Sequence, residues 1–192
     1  MATGIARRDE KIRPRESGNF NWRNWDITRI QELPETPAKI LYVVSKVETP
    51  TQIRLSICGI NYIIDNRLSH IADAIRKSKE LLTLKDDWDE DGANGINETI
   101  YVRAIETLIR YSDNILDTYK TAIKAPYISL GRDGSIDLDW STPNNQLLIT
   151  ILNTGNFNLH YYGDDGNNNT VIKGTLEGLV INDDLSHWMR KL

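Results

Sequence analysis

The chain has almost no cysteine. Cys58 is its single cysteine among 192 residues, which excludes an internal disulfide and a cysteine-rich zinc site. No apolar run in the sequence reaches the roughly 20 residues that a membrane-spanning helix needs. The opening stretch MATGIARRDEKIRPRES has no apolar segment after its charges, unlike a secretory signal. We therefore expect a cytoplasmic protein that does not associate with membranes.

Sequence signatures of catalysis are also missing. The chain contains no G-x-S-x-G elbow, no Walker loop and no dinucleotide-binding fingerprint. His70, His160 and His187 are far apart and lack the spacing of paired metal ligands. Cys58 is expected to be a buried small residue, because free cysteine usually behaves as a core hydrophobe. These absences predict a non-enzymatic protein without a cofactor.

Charge is distributed unevenly along the chain. Residues 1–30 contain seven basic and four acidic side chains, whereas the remaining 162 residues carry 16 basic and 23 acidic ones, a net charge of −7. An acidic body is a poor nucleic-acid binder, because affinity for DNA depends on neutralising phosphates. Only the amino-terminal residues could bind nucleic acid.

Residues 1–30 are predicted to form a flexible arm that is both basic and aromatic. Aromatic and arginine side chains are favoured at protein interfaces, and they also stack on single-stranded nucleic acid. Docking of the arm on its own domain is an equally open alternative. The predicted partner-binding residues are Phe20, Trp22, Arg23, Trp25 and Arg29.

Residues 31–192 are predicted to form a single α+β domain. The strand region 39–64 begins with the β-branched and aromatic run KILYVVSKV, and apolar residues then alternate with polar ones. Within 67–120 apolar residues recur at helical spacing, which predicts a helical hairpin whose first amphipathic helix covers 67–84. From 126 to 176 the period returns to two, with short turn-rich links that are typical of hairpins. The predicted architecture is an antiparallel β-meander packed against a two-helix hairpin, with additional N-terminal strands and a short C-terminal helix.

The stretch DDWDEDGANGINE matches the spacing of an EF-hand calcium loop over residues 87–98. Against calcium binding, Asn94 stands where such loops usually have an apolar residue, and no second loop is present to pair with this one. In the structural alternative, Trp88 plugs the core and Asn97 caps the following helix. Calcium is therefore the alternative prediction, with the ligands Asp87, Asp89, Asp91 and Glu98.

A second pair of carboxylates lies in the strand SIDLDW. Ile136, Leu138 and Trp140 share one face of this strand, so Asp137 and Asp139 share the other. Two carboxylates on one face could hold a metal ion and serve a metal-dependent hydrolase or nuclease. The solvent side of a half-buried sheet is the simpler interpretation.

Three short motifs give the chain a resemblance to an uncharacterised family of small bacterial proteins. The motifs are W-D-x-x-G-A-x-x-I-N, D-G-x-I-x-L-x-W and Y-Y-G…G, and they span Trp88–Gly174. The resemblance implies a protein partner, because such genes often stand beside another small reading frame or near defence and toxin–antitoxin loci. We expect a non-catalytic accessory, inhibitor or antitoxin-like regulator whose partner is another protein, encoded nearby.

Overall fold

The computed structural model describes residues 51–154, 158–166, 168 and 170–192. This part of the chain is mixed α and β, as predicted. The predicted arm at 1–30 and the predicted strand KILYVVSKV at 39–47 lie outside the described residues. The elements are β1 (Gln52–Ile57), β2 (Ile60–Asp65), α1 (Ser69–Ser78), α2 (Glu98–Tyr119), β3 (Tyr127–Leu130), β4 (Ile136–Ser141), β5 (Asn145–Ile151), β6 (Leu159–Asp165), β7 (Thr170–Leu176) and α3 (Asp183–Met189).

Strands β1 and β2 form an antiparallel hairpin of their own. Its two-residue turn is Cys58-Gly59, and both residues have positive φ, at 46° and 79°. That is the backbone of the turn type that best matches strand twist. The turn leaves the Cys58 thiol exposed, so the prediction that Cys58 is buried is wrong. The core contacts of the hairpin come instead from Leu55, Ile57 and Ile64.

Helix α1 is shorter than the predicted helical stretch of 67–84. It covers only residues 69–78 and is flanked by 3-10 turns at Asn66–Leu68 and Lys79–Thr83. Its core-facing side contains Ile71, Ala72 and Ile75. The apolar spacing therefore predicted the position of helix α1 correctly. At both of its predicted ends, however, the chain forms 3-10 turns instead of α-helix.

Helix α2 begins where the sequence predicts, with Asn97 as N-cap. The Asn97 side chain accepts a hydrogen bond from the Thr99 amide at 2.9 Å. One side of the helix is buried, and there Tyr101 places its hydroxyl 2.8 Å from Ser78 Oγ at the end of α1. Even this 22-residue helix is amphipathic, and none of the helices in the described residues is long and apolar enough to cross a membrane.

Strands β3 to β7 form the predicted antiparallel meander, in sequence order. The side chains of one face pack in the core with α2, and Trp140 donates from Nε1 to the Lys124 carbonyl at 2.7 Å. The C-terminal helix α3 buries Leu185, Trp188 and Met189 in the same core. We call this side of the meander the inner face; its buried hydrophobic residues are Ile128, Leu130, Ile136, Leu138, Trp140, Leu147, Ile149, Ile151 and Leu159.

Candidate functional site

The acidic loop, residues 86–97, links the turn after α1 to α2. Its path bends sharply because Asp87, Glu90 and Gly92 all have positive φ. A conformation of this kind leaves several backbone amides without strand or helix partners. The carboxylates of the loop accept hydrogen bonds from these amides.

Asp89 holds the centre of the acidic loop. Its Oδ1 atom accepts hydrogen bonds from the amides of Asp91 and Ala93, both at 3.0 Å. Desolvation tends to raise the pKa of Asp89, but these two amides and the nearby charge of Arg132 together lower the pKa below its ordinary value. Asp89 is therefore ionised at neutral pH and stabilises the backbone of the loop.

The acidic loop docks on the five-residue link between β3 and β4, residues 131–135. Arg132 in that link contacts Asp89 through Nε at 2.8 Å and Asp91 through a second nitrogen at 2.7 Å. The Asn94 amide donates to the Arg132 carbonyl at 2.8 Å, and the Asn94 side chain donates to the Asp133 carbonyl at 3.1 Å. Two motifs that are about 40 residues apart in sequence thus form one structural unit.

The predicted calcium ligands are only partly free in this arrangement. The Asp87 carboxylate accepts from the Gly92 amide at 2.9 Å, and the Ala93 carbonyl accepts from the Asp87 amide at 2.7 Å. Arg132 occupies carboxylate oxygens of Asp89 and Asp91. Among the described residues, no group of three or more histidine, cysteine, aspartate or glutamate side chains is arranged to hold a metal ion.

A calcium ion would therefore compete with a guanidinium for two of its four predicted carboxylate ligands. The fourth ligand, Glu98, lies in the first turn of α2, where its charge is favourable to the helix dipole without a metal. Calcium binding at 87–98 stays a prediction.

Trp88 does not plug the core between the helices, as the sequence had suggested. Its side chain is 37% exposed, and its Nε1 donates to the Asn94 carbonyl at 3.1 Å. The tight turns of the acidic loop carry the indole out of the core, and the small side chain of Ala93 is buried instead. Trp88 therefore holds the loop closed from outside.

The glycines of the remaining motifs have packing roles. A Cβ on Gly174 would lie 2.5 Å from the Tyr161 hydroxyl and 2.7 Å from Tyr161 Cζ, on the strand opposite. A Cβ on Gly163 would lie 3.0 Å from the ring of Trp188. Both glycines thus leave space for an aromatic ring. This packing explains why glycine stands at these positions, and no bound ligand is needed to explain it.

The paired carboxylates of β4 do point away from the inner face, as predicted. Asp137 and Asp139 are half-buried, while the alternating residues Ile136 and Leu138 are buried. The Thr150 hydroxyl donates to Asp137 at 2.6 Å. A hydrolase or nuclease centre at this pair stays a prediction.

The histidines lie in separate places. His70 Nε2 is 2.6 Å from the Ile123 carbonyl, His160 is exposed on β6, and the His187 ring meets Tyr119 edge-on at 6.3 Å. Each therefore has a local packing or surface position. The predicted partner-binding residues Phe20, Trp22, Arg23, Trp25 and Arg29 lie outside the described residues.

A groove opens between α1 and β3, and the sequence alone did not reveal it. Its volume is about 670 Å³, within the usual range of ligand sites. Ala74 and Leu81 line one wall, while Pro126, Tyr127 and Ile128 line the other. In the sequence, the groove could have been indicated only by the small residue Ala74, which lies on an otherwise charged helix surface.

Within the described residues, the strand that borders this groove lies at an edge of its sheet. Among the described strands, β3 pairs only with β4. The Gly131 amide donates to the Ser135 carbonyl, so by the alternation of antiparallel pairs the backbone groups of Ile128 and Leu130 point away from β4. This edge of the sheet can accept another strand.

Protein-family profiles, curated proteins and solved structures were compared with the chain, and none of the three comparisons found a match.

Proposed function

We propose that the protein is a non-catalytic regulator that binds another protein through the groove between α1 and β3. The observation that carries this proposal is an edge of β3 with which no described strand pairs, beside a 670 Å³ groove. An extended segment of the partner would pair with the backbone of Ile128 and Leu130, and its side chains would enter the groove. Strand addition of this kind is a recurrent mode of peptide recognition.

The side chains of the groove suit a partner segment in which apolar and polar residues alternate. Ala74, Leu81 and Ile128 offer apolar contacts, whereas Asp73 and Lys77 bring charges of both signs. Because successive residues of an extended strand point in opposite directions, one row would enter the groove and the other would face solvent. The main chain would supply affinity and the groove would supply specificity.

We propose the regulatory role because of the resemblance to a family of small bacterial proteins. An accessory, inhibitor or antitoxin-like function in a cytoplasmic bacterial system, such as a defence system, fits a chain whose sequence carries no catalytic signature. The partner would be encoded nearby, and the acidic body would speed association with a basic surface. The basic arm, through Trp22 and Trp25, would add a second contact.

The experiment is capture of the partner from native lysate with full-length protein and a matched pair of variants. Ala74→Trp fills the groove, while Ala122→Trp adds the same side chain at an exposed position elsewhere. We expect one stoichiometric protein with the wild type and with Ala122→Trp, and its loss with Ala74→Trp. Equal capture by both variants would show that the groove is not the site.

A second comparison tests the arm. Deleting residues 1–30 should weaken capture while the circular dichroism spectrum is retained, and Trp22→Ala with Trp25→Ala should reproduce most of that loss. Co-purified RNA with a steep salt dependence would instead identify the arm as a nucleic-acid binder.

A further inference from the structure

The solvent side of the meander exposes large apolar side chains. We call this surface the outer face; it consists of the side chains of β3–β7 that alternate with the inner face. Tyr127 is 73% exposed, Val171 55%, Tyr162 49% and Leu148 39%. Contiguous apolar patches of this kind on a protein surface commonly mark interaction sites.

Strand register aligns one row of side chains across the whole outer face. Tyr127 is paired with Asp139, Asp139 with Leu148, Leu148 with Tyr162, and Tyr162 with Lys173. The row therefore places one residue on each of the five strands from β3 to β7. Since neighbouring strands are about 4.8 Å apart, Asp139 and Lys173 lie roughly 14 Å from each other.

The two charges of this row have opposite signs and lie on either side of the line between β5 and β6. Asp139 on β4 and Lys173 on β7 are equally far from the line between β5 and β6, and so are Leu148 and Tyr162. Among the described residues, no hydrogen bond or ion pair reaches Asp139. The carboxylate thus stands unpaired between Tyr127 and Leu148.

We propose that the occupant of the outer face is a second copy of this chain. The two copies would be related by a two-fold axis that runs parallel to the strands, along the line between β5 and β6. This rotation reverses the order of the strands in the second copy and keeps each residue at the same position along the strand direction. Asp139 then meets Lys173 of the second copy, and Leu148 meets Tyr162 of the second copy. The apolar pair is central and the two ion pairs lie at the rim, as in protein interfaces generally.

The next row of the outer face is compatible with the same axis. Register places Asp137, Thr150, His160 and Thr175 across strands β4 to β7. The two-fold rotation sets Asp137 of one copy opposite Thr175 of the other, and Thr150 of one copy opposite His160 of the other. Each pair can therefore form a hydrogen bond. The residues of these two rows therefore meet without placing like charges opposite each other.

The size of the outer face sets the expected affinity. The four strands that face each other, β4 to β7, give a width of about 19 Å and the strand lengths a similar height, which places the buried area near the lower limit for specific interfaces. Sheets that pack face to face keep their strands within about 30° of each other, so the rows stay in contact. The dimer should form at micromolar concentrations.

The test is a charge exchange in full-length protein, followed by sedimentation velocity between about 1 and 200 μM. We expect a concentration-dependent dimer for the wild type, and at least tenfold weaker dimerisation for Asp139→Lys and for Lys173→Asp. An equimolar mixture of the two variants should associate, because each lysine of one variant then faces an aspartate of the other. The double variant should also dimerise.

Two controls keep the result interpretable. Glu80→Lys reverses a charge away from the outer face and should leave the dimer unchanged, while circular dichroism verifies the fold of every variant. A wild type that remains monomeric at 200 μM would overturn the proposal. So would a dimer that neither charge reversal weakens, or variants that fail to associate when mixed.

This dimer does not depend on the proposed function. The groove between α1 and β3 shares only Tyr127 with the outer face, and Tyr127 has no counterpart across the two-fold axis. Failure of Ala74→Trp to alter capture therefore leaves the dimer proposal intact. Failure of the charge exchange likewise leaves the groove proposal standing.

Discussion

The two faces of the five-stranded meander are built from the same strands, yet they differ in what covers them. On the inner face, Leu147 is fully buried in the core; one residue later, Leu148 lies on the outer face and is more than a third exposed. Tyr161 and Tyr162 show the same contrast between a half-buried ring that packs on glycine and a ring that faces solvent.

This difference teaches that apolar character alone does not place a residue in the core. Alternation along a strand assigns neighbours to opposite faces, and burial then depends on which face another element covers. Helices α2 and α3 pack in the core on the inner face. The outer face retains apolar side chains without such a cover from the described elements, which is why it is a candidate for assembly.

The largest effect should come from truncating one leucine on each face. Leu147→Ala should lower the free energy of unfolding by about 3 kcal/mol, because it leaves a cavity in the core. Leu148→Ala should cost less than about 1 kcal/mol, because its side chain keeps contact with water. Urea unfolding of both variants measures the contrast, and equal losses would contradict the assignment of the faces.

A second test concerns the space that glycine leaves on the sheet. Gly174→Ala should destabilise the protein by about 2 kcal/mol, because the new Cβ collides with the Tyr161 ring. In a Tyr161→Ala background the same substitution should cost much less. A double-mutant cycle by thermal unfolding measures this coupling, and an additive result would show that the ring contact is not the cause.

A third test moves to α2, the helix that packs on the inner face. Burial, together with the charges of Asp117 and Asp65, raises the pKa of Asp113 to about 6. Between pH 4 and pH 6 the folded state keeps this proton while the unfolded state releases it, so the residue lowers stability as pH rises through that window.

Asp113→Asn should therefore stabilise the protein at pH 7.5 by about 1 kcal/mol, a value reduced for the partial exposure of the side chain. The gain should shrink to a small remainder near pH 3.5, where the carboxyl group is mostly protonated in both states. Denaturant unfolding of wild type and variant at the two pH values measures it. A gain that is the same at both would indicate another origin.

The smallest effect is expected at the acidic loop, away from both faces. Arg132→Ala removes the ion pairs to Asp89 and Asp91, in which the guanidinium is exposed, and should cost about 0.5 kcal/mol. Calcium at 1 mM should leave the melting temperature of the wild type unchanged if the loop is structural. A rise that vanishes in Asp87→Ala and Glu98→Ala would establish the calcium alternative.

Local patterns were sufficient for most of the fold. The period-two stretches from 126 to 176 predicted the meander, and the residue type of Asn97 predicted the start of α2. Both signals depend only on neighbours within a few residues, so the sequence carries them directly. Helix ends were less predictable, because 3-10 turns at either side of α1 use the same apolar spacing.

The candidate sites depended on contacts between distant segments. The groove requires α1 beside β3, and the acidic loop requires Arg132 from a turn about 40 residues later. Cys58 and Trp88 were placed wrongly because turn geometry, rather than residue type, decided their exposure.

The sequence by itself determined where the described strands and helices lie, apart from the ends of α1, and which side of the strands in the meander is apolar. Only the tertiary structure decided that Tyr127, Asp139, Leu148, Tyr162 and Lys173 align in one row across five strands. The physical reason is strand register, because a shift of one residue between neighbours would turn each side chain to the other face. Register is set jointly by the turns and by the buried inner face, and no single segment contains that information.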